Sequence, residues 1–259
     1  MRRGMLAAVA AFVVLLAGCG GDDGGAPAAA PGGPSPTGPV PGGECPGMAS
    51  SVGAKPVHFG AAGATNLAGL IGGTGTSGVV LAHQAEADLC QWILGFNELI
   101  GKGYRVLAFD FHGHGASESS EVGFEDDVVA AAATLRADGA TSIVLIGASM
   151  GGTFSVAAAP KISPPVAGVV SVSAPLAYGG VSAQQAAPAV AVPVLYLANE
   201  NDGIIGDAAE ELKAASTASP DAQALVTSGA VHGVPLVIEG GDAKIRAALF
   251  AFLAKYAPV

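Results

Sequence analysis

Charge is scarce in this sequence. Only 12% of its 259 residues are Asp, Glu, Lys or Arg, with 11 basic residues against 21 acidic ones. No basic block occurs beyond Arg2-Arg3, and the net charge is −10, so a nucleic-acid-binding role is excluded. Long apolar runs are missing too. The longest, Met5 to Ala17, has 13 residues, against the roughly 18–20 a spanning helix needs. The mean hydropathy of +0.52 therefore reflects abundant alanine rather than a transmembrane segment. Aromatic residues are few, at 5%, and cysteines number three. What is plentiful is apolar matter, 51% of the chain. That is enough for a sizeable core and excludes wholesale disorder.

The N-terminus has the order of an export signal: Met1-Arg2-Arg3, then the apolar Met5–Ala17, then Leu16-Ala17-Gly18-Cys19. This resembles a bacterial lipoprotein signal, which is cleaved before a cysteine that becomes the lipidated N-terminus. The resemblance implies a signal over residues 1–18, lipidation at Cys19 and an exported, membrane-anchored protein. An ordinary secretory signal with an incidental cysteine is the competing reading. From Gly20 to Gly43 the chain holds 9 Gly and 6 Pro in 24 residues, a composition that builds no core. A solvated tether over residues 19–44 is expected, with one domain over 45–259. Export implies an oxidising compartment. With Cys19 set aside, Cys45 and Cys90 remain, and a Cys45–Cys90 disulfide is expected; two buried free thiols are the alternative.

From residue 55 onward, short apolar runs occur at Val57–Phe59, Leu67–Ile71, Val79–His83, Arg105–Asp110, Ser142–Gly147, Ala167–Ser173, Val194–Asn199 and Ala224–Ser228. The later ones are apolar at consecutive positions, as strands covered on both faces must be. Helix-period stretches lie between them: Trp92–Ile100, Phe124–Ala137, Gly152–Ala159, Asp207–Ala215 and Asp242–Tyr256. Leu94, Leu99 and Ile100 fall near one face of the first helix. The alternation predicts an α/β class with a mostly parallel sheet of about eight strands between helices. The first three runs, with no helix between them, are expected to form an antiparallel edge. Ligands bind beyond the carboxyl ends of such strands, where His83, Asp110-Phe111-His112, Ser149, Asp202 and His232 stand.

Gly147-Ala148-Ser149-Met150-Gly151 is a Gly-x-Ser-x-Gly sequence between an apolar strand and a small-residue helix. In so glycine-rich a chain the pattern alone is weak; its setting carries the argument. A serine at a tight strand-to-helix turn presents its hydroxyl, and the helix N-terminus favours a developing oxyanion. Strand order, Gly-Ala-Ser-Met-Gly-Gly and the following segments resemble the α/β-hydrolase superfamily over residues 55–259. The resemblance implies an α/β-hydrolase fold and a Ser–acid–His triad in that chain order. The acid is expected at Asp202 in Glu200-Asn201-Asp202-Gly203, with Glu200 in reserve; a helix N-cap is the structural alternative. His232, before Gly233, is the only histidine after the acid and becomes the base. Val79-Val-Leu-Ala-His83-Gln84-Ala85 resembles the superfamily's oxyanion strand. This implies amide donors at Met150 and Ala85, with Gln84 possible where the family has glycine. His83 is expected to orient this loop. Asp110-Phe-His112-Gly-His114-Gly-Ala-Ser117 resembles the family's structural turn, and metal binding by its histidines is not expected.

The resemblance thus implies a cofactor-free serine hydrolase acting on small ester or related acyl substrates. A fold kept only for binding is the alternative. Residues 174–193 are too short for a large helical lid, so a minimal cap and an open pocket are expected.

Overall fold

The computed structural model describes residues 45, 53–60, 66–203 and 205–259. The expected leader, Cys19 and the tether lie outside them. The strands are β1 (Lys55–Phe59), β2 (Leu67–Gly72), β3 (Ser77–Ala82), β4 (Arg105–Phe109), β5 (Ser142–Ala148), β6 (Gly168–Val172), β7 (Ala177–Tyr178), β8 (Val181–Ser182), β9 (Val194–Asn199) and β10 (Ala222–Thr227). Eight of them form one sheet in the order β1-β2-β4-β3-β5-β6-β9-β10, and β7–β8 form a small separate hairpin. Pairing is antiparallel for β1–β2 and β2–β4 and parallel from β4 through β10. The helices are α1 (Ile93–Gly101), α2 (Phe124–Ala137), α3 (Met150–Ala158), α4 (Ala183–Ala186), α5 (Ile205–Ala215) and α6 (Ala243–Tyr256).

Alternation along the central strands assigns side chains to two cores. On one face Val80, Leu107, Leu145 and Tyr196 meet α2, α3 and α5 through Leu135, Phe154 and Leu212. On the other, Val79, Leu81, Val106 and Ile146 meet α1 and α6 through Phe96, Leu99, Leu249 and Phe252. Burial on both faces explains the unbroken apolar runs of β3, β5 and β9, where every residue is buried except Ser142.

Three expectations need correction. The third apolar run is not in the antiparallel edge: β3 crosses β4 to lie between β4 and β5, parallel to both. Strand order is set by which faces the helices cover, and a local apolar run carries no record of it. β10 is an edge strand and only partly buried, not covered on both faces. Leu94 is 53% exposed, because α1 turns Phe96 and Leu99 inward instead. A disulfide joins Cys45 to Cys90, with Cα atoms 5.2 Å apart, tying the described start of the domain to the 3-10 turn Leu89–Trp92. Among the described residues no helix is long and apolar enough to cross a membrane.

Candidate active site

Ser149 sits between β5 and α3 with φ 49° and ψ −117°, a left-handed φ that a serine adopts only under constraint. The flanking glycines show what constrains it. A β-carbon at Gly147 would lie 2.1 Å from the Gly151 carbonyl oxygen, and one at Gly151 would lie 2.4 Å from that of Ala82. At Gly147 the turn closes on the start of its own helix and at Gly151 it abuts the end of β3, so both positions leave room for hydrogen only, which is why the motif needs glycine two residues either side. The Ser149 N–H donates to the Val172 carbonyl at 2.8 Å, fixing the turn to β6. Met150 opens α3, where first-turn amides have no partner within the helix. Among the described residues the Ser149 hydroxyl makes no hydrogen bond.

Asp202 and His232 follow β9 and β10, the two strands at this end of the sheet. The His232 Nδ1–H donates to both Asp202 carboxylate oxygens, at 3.0 and 2.9 Å. That contact fixes the tautomer, leaving Nε2 unprotonated as an acceptor. The carboxylate side chain is 10% exposed and the imidazole 36%, so Asp202 is enclosed and His232 faces outward. Glu200 is exposed and accepts from the Asn201 side-chain amide at 3.3 Å; the structure gives it no bond to His232. A β-carbon at Gly233 would lie 3.8 Å from that of Ala148, so the histidine loop runs directly alongside the serine turn.

On the other side of Ser149 lies the loop after β3. The Gln84 N–H is already occupied, donating to Gln91 Oε1 at 3.2 Å. Among the described residues the Ala85 N–H has no acceptor. His83 is fully buried. Its Nδ1–H donates to the Gln84 carbonyl at 2.8 Å and its Nε2 accepts the Phe111 N–H at 3.1 Å. Both bonds require a neutral ring, and burial pushes the imidazole down to about 4. His83 thus bolts this loop to the turn after β4.

That turn is architectural. Asp110 accepts the Leu89 and Ala116 N–H groups at 2.7 and 2.9 Å, while burial raises its pKa against those bonds. Ser117 donates to the Asp110 carbonyl at 2.6 Å and accepts the Ala68 N–H at 2.8 Å. His112 donates through Nδ1 to Asp127 at 2.7 Å and stacks on Phe124. His114 donates to the His112 carbonyl at 3.1 Å. Each imidazole is thus bonded to a different group, and among the described residues no cluster of His, Cys, Asp or Glu is arranged for a metal. Three side chains that sequence reading missed also enter the site: Ser173, Asn199 and the amide of Gln84 bond to the histidine loop. Their partners lie 32 to 150 residues away, so no local pattern could disclose them.

A family model described as alpha/beta hydrolase fold matches residues 72–189, a span that includes Ser149 but neither Asp202 nor His232. No curated protein matches the sequence. Among solved structures, an esterase from Pyrococcus furiosus is similar over 85% of this chain and 97% of its own, with a TM-score of 0.73 and 16% identity. The esterase domain of a Rhodothermus marinus protein is similar over 80% of this chain and all of its own, with a TM-score of 0.61 and 21% identity. An enol-lactonase from Burkholderia xenovorans is similar over 73% of this chain and 97% of its own, with a TM-score of 0.59 and 18% identity. At such identities the likeness is one of architecture, and together with the sheet order it gives the conclusion that this chain has the α/β-hydrolase fold.

Proposed function

We propose that this chain is a serine hydrolase of the α/β-hydrolase superfamily that cleaves small esters or related acyl compounds through an acyl-enzyme. The observation that carries the reading is the Asp202–His232 pair, formed in the loop beside a left-handed serine at a strand-to-helix turn. In the proposed reaction His232 Nε2 takes the Ser149 proton as Oγ attacks the substrate carbonyl. The amides of Met150 and Ala85 stabilise the oxyanion, and the start of α3 adds its positive end. His232 then protonates the leaving alcohol. Water, activated by the same imidazole, releases the acid. Asp202 holds the ring in the reactive tautomer and stabilises the imidazolium. The hydrogen bond from serine to histidine is commonly loose in free enzymes and tightens on substrate.

Between β6 and β9 the chain places only the β7–β8 hairpin, α4 and a 3-10 turn at Ala187–Ala189. So small a cap supports open access and short or exposed acyl groups. Structural neighbours named as esterases and an enol-lactonase belong to the same acyl chemistry. The proposal includes export and lipid anchoring at Cys19, which would hold the domain outside the cytoplasmic membrane on its Gly/Pro-rich tether. The test of the acid is a pair of substitutions assayed on a p-nitrophenyl ester series. Asp202→Asn should lower kcat by several orders of magnitude, because an amide permits the wrong tautomer, while Glu200→Gln should leave it nearly unchanged. The reverse pattern would reassign the acid. Indifference to both would leave a fold used for binding.

A further inference from the structure

We infer that Ser173 is a positioning residue for His232, the central member of a polar cradle that fixes the histidine loop; its catalytic meaning rests on the serine-hydrolase reading, but its structural content does not. Three backbone amides flank the histidine, and a side chain from a different strand end accepts each one. The Val231 N–H donates to Asn199 Oδ1 at 2.9 Å, from the end of β9. The Gly233 N–H donates to Ser173 Oγ at 3.0 Å, just beyond β6. The Val234 N–H donates to Gln84 Oε1 at 3.4 Å, just beyond β3. The histidine loop is thus strung across the carboxyl edge of the sheet.

Ser173 is held in this role at a cost. Its φ is +48°, in a region where non-glycine residues are strained, and it is fully buried. Its own N–H donates to the Leu197 carbonyl at 2.7 Å, continuing the sheet toward β9. Glycine would fit that backbone without strain, so the side chain itself needs a reason, and the hydroxyl supplies it as the acceptor for Gly233. Gly233 adopts φ +70°, and a β-carbon there would lie 2.1 Å from Gln84 Oε1. A shift of the loop away from β6 would lose the bond to Ser173, and a shift away from β3 would lose the bond to Gln84. Asn199 completes the restraint and donates its own amide to Thr227 Oγ1 at 2.9 Å. The Thr227 hydroxyl donates in turn to Asp242 at 3.0 Å, the residue that caps α6.

The experiment compares Ser173→Ala with Ser173→Gly in the otherwise intact protein. Both remove the hydroxyl, and only the glycine also relieves the strained φ. The first readout is the downfield proton resonance of the His232 Nδ1–H, assigned by its loss in His232→Gln. The His112 Nδ1–H, bonded to Asp127, is the internal reference. In both variants the His232 signal should shift or broaden while the His112 signal stays. In p-nitrophenyl ester hydrolysis, kcat should fall roughly 10- to 100-fold, the scale of a small misplacement of a catalytic group, with KM within about twofold. An unchanged His232 resonance in both variants would overturn the proposal, as would wild-type behaviour in Ser173→Gly alone, which would make the residue's role one of backbone shape. If the resonance moves in a protein whose wild type hydrolyses no ester, the positioning role stands and the hydrolase reading falls.

Discussion

Ser149 keeps a backbone conformation worth roughly 1–3 kcal/mol of strain, and it survives because the close packing at Gly147 and Gly151 leaves no alternative. That gives a prediction at a residue outside the proposed chemistry. A β-carbon at Gly151 would lie 2.4 and 2.6 Å from the Ala82 and His83 carbonyl oxygens, neither of which is the flexible end of a side chain. Gly151→Ala should therefore destabilise the fold by about 2 kcal/mol or more, the scale of overpacking in a rigid interior, and displace the Ala85 loop. Urea denaturation beside ester hydrolysis would check it, and a variant as stable and active as the parent would refute the packing argument. Much of this site was legible residue by residue. The glycines around Ser149, the order serine, aspartate, histidine, and Gly233 after His232 are local signs of a backbone that must bend or pass close. What was hidden is what holds these parts to one another. Ser173 lies in an ordinary Ser-Val-Ser-Ala-Pro stretch, and its partner Gly233 is 60 residues away. Asn199 reads as the end of a strand, and Gln84 as a departure from a glycine rather than as a brace.

At the scale of elements, the turn after β4 and the loop after β3 are joined through one titratable side chain. His83 is neutral in the fold, with its pKa lowered by burial from 6.5 to about 4. An unfolded chain takes up the proton first as pH falls. Stability contributed by the neutral ring is therefore complete above about 6.5 and is lost between there and about 4, a linkage of roughly 3 kcal/mol over the whole window. His83→Gln keeps one donor and one acceptor but cannot titrate. Urea titrations at pH 7 and pH 4 should show the wild type losing more stability than the variant by about that amount. Asp110 and Asp127, whose pKa values burial raises, act in the opposite direction but are common to both proteins and cancel in the comparison. Equal pH slopes would mean that His83 is not held neutral. Element boundaries were the readable part of the fold: α2 spans Phe124–Ala137 and β9 spans Val194–Asn199 in both sequence and structure. The position of β3 was not readable, since crossing β4 is a property of the assembled sheet. Leu94 was misjudged for a related reason: in a short helix only the packing partner decides which apolar residues turn inward.

For the whole molecule, the Cys45–Cys90 bridge closes a loop across a sequence separation of 45. Its removal by the double substitution to alanine should cost up to about 4 kcal/mol in the chain-entropy view, measured by urea unfolding, while the ester-hydrolysis rate at 25 °C stays near wild type because the neighbours of Cys90 keep their own bonds, Leu89 to Asp110 at 2.7 Å and Gln91 to the Gln84 N–H at 3.2 Å. A large loss of rate with little loss of stability would show that the bridge shapes the site instead. Anchoring is a separate property of the chain. In the proposed topology Cys19→Ser should move the protein from the membrane fraction to the soluble one with its specific activity unchanged, and continued membrane association would remove the lipid anchor from the account. The central claim is that Ser149 is a nucleophile activated by His232, and reaction with a fluorophosphonate probe tests it most directly. The wild type should gain one covalent adduct, mapped by peptide mass to Ser149, in step with loss of p-nitrophenyl ester hydrolysis. Ser149→Ala should show no adduct and retain no more than about a thousandth of the rate, with its thermal unfolding unchanged. Labelling elsewhere, or full hydrolysis by Ser149→Ala, would contradict the account.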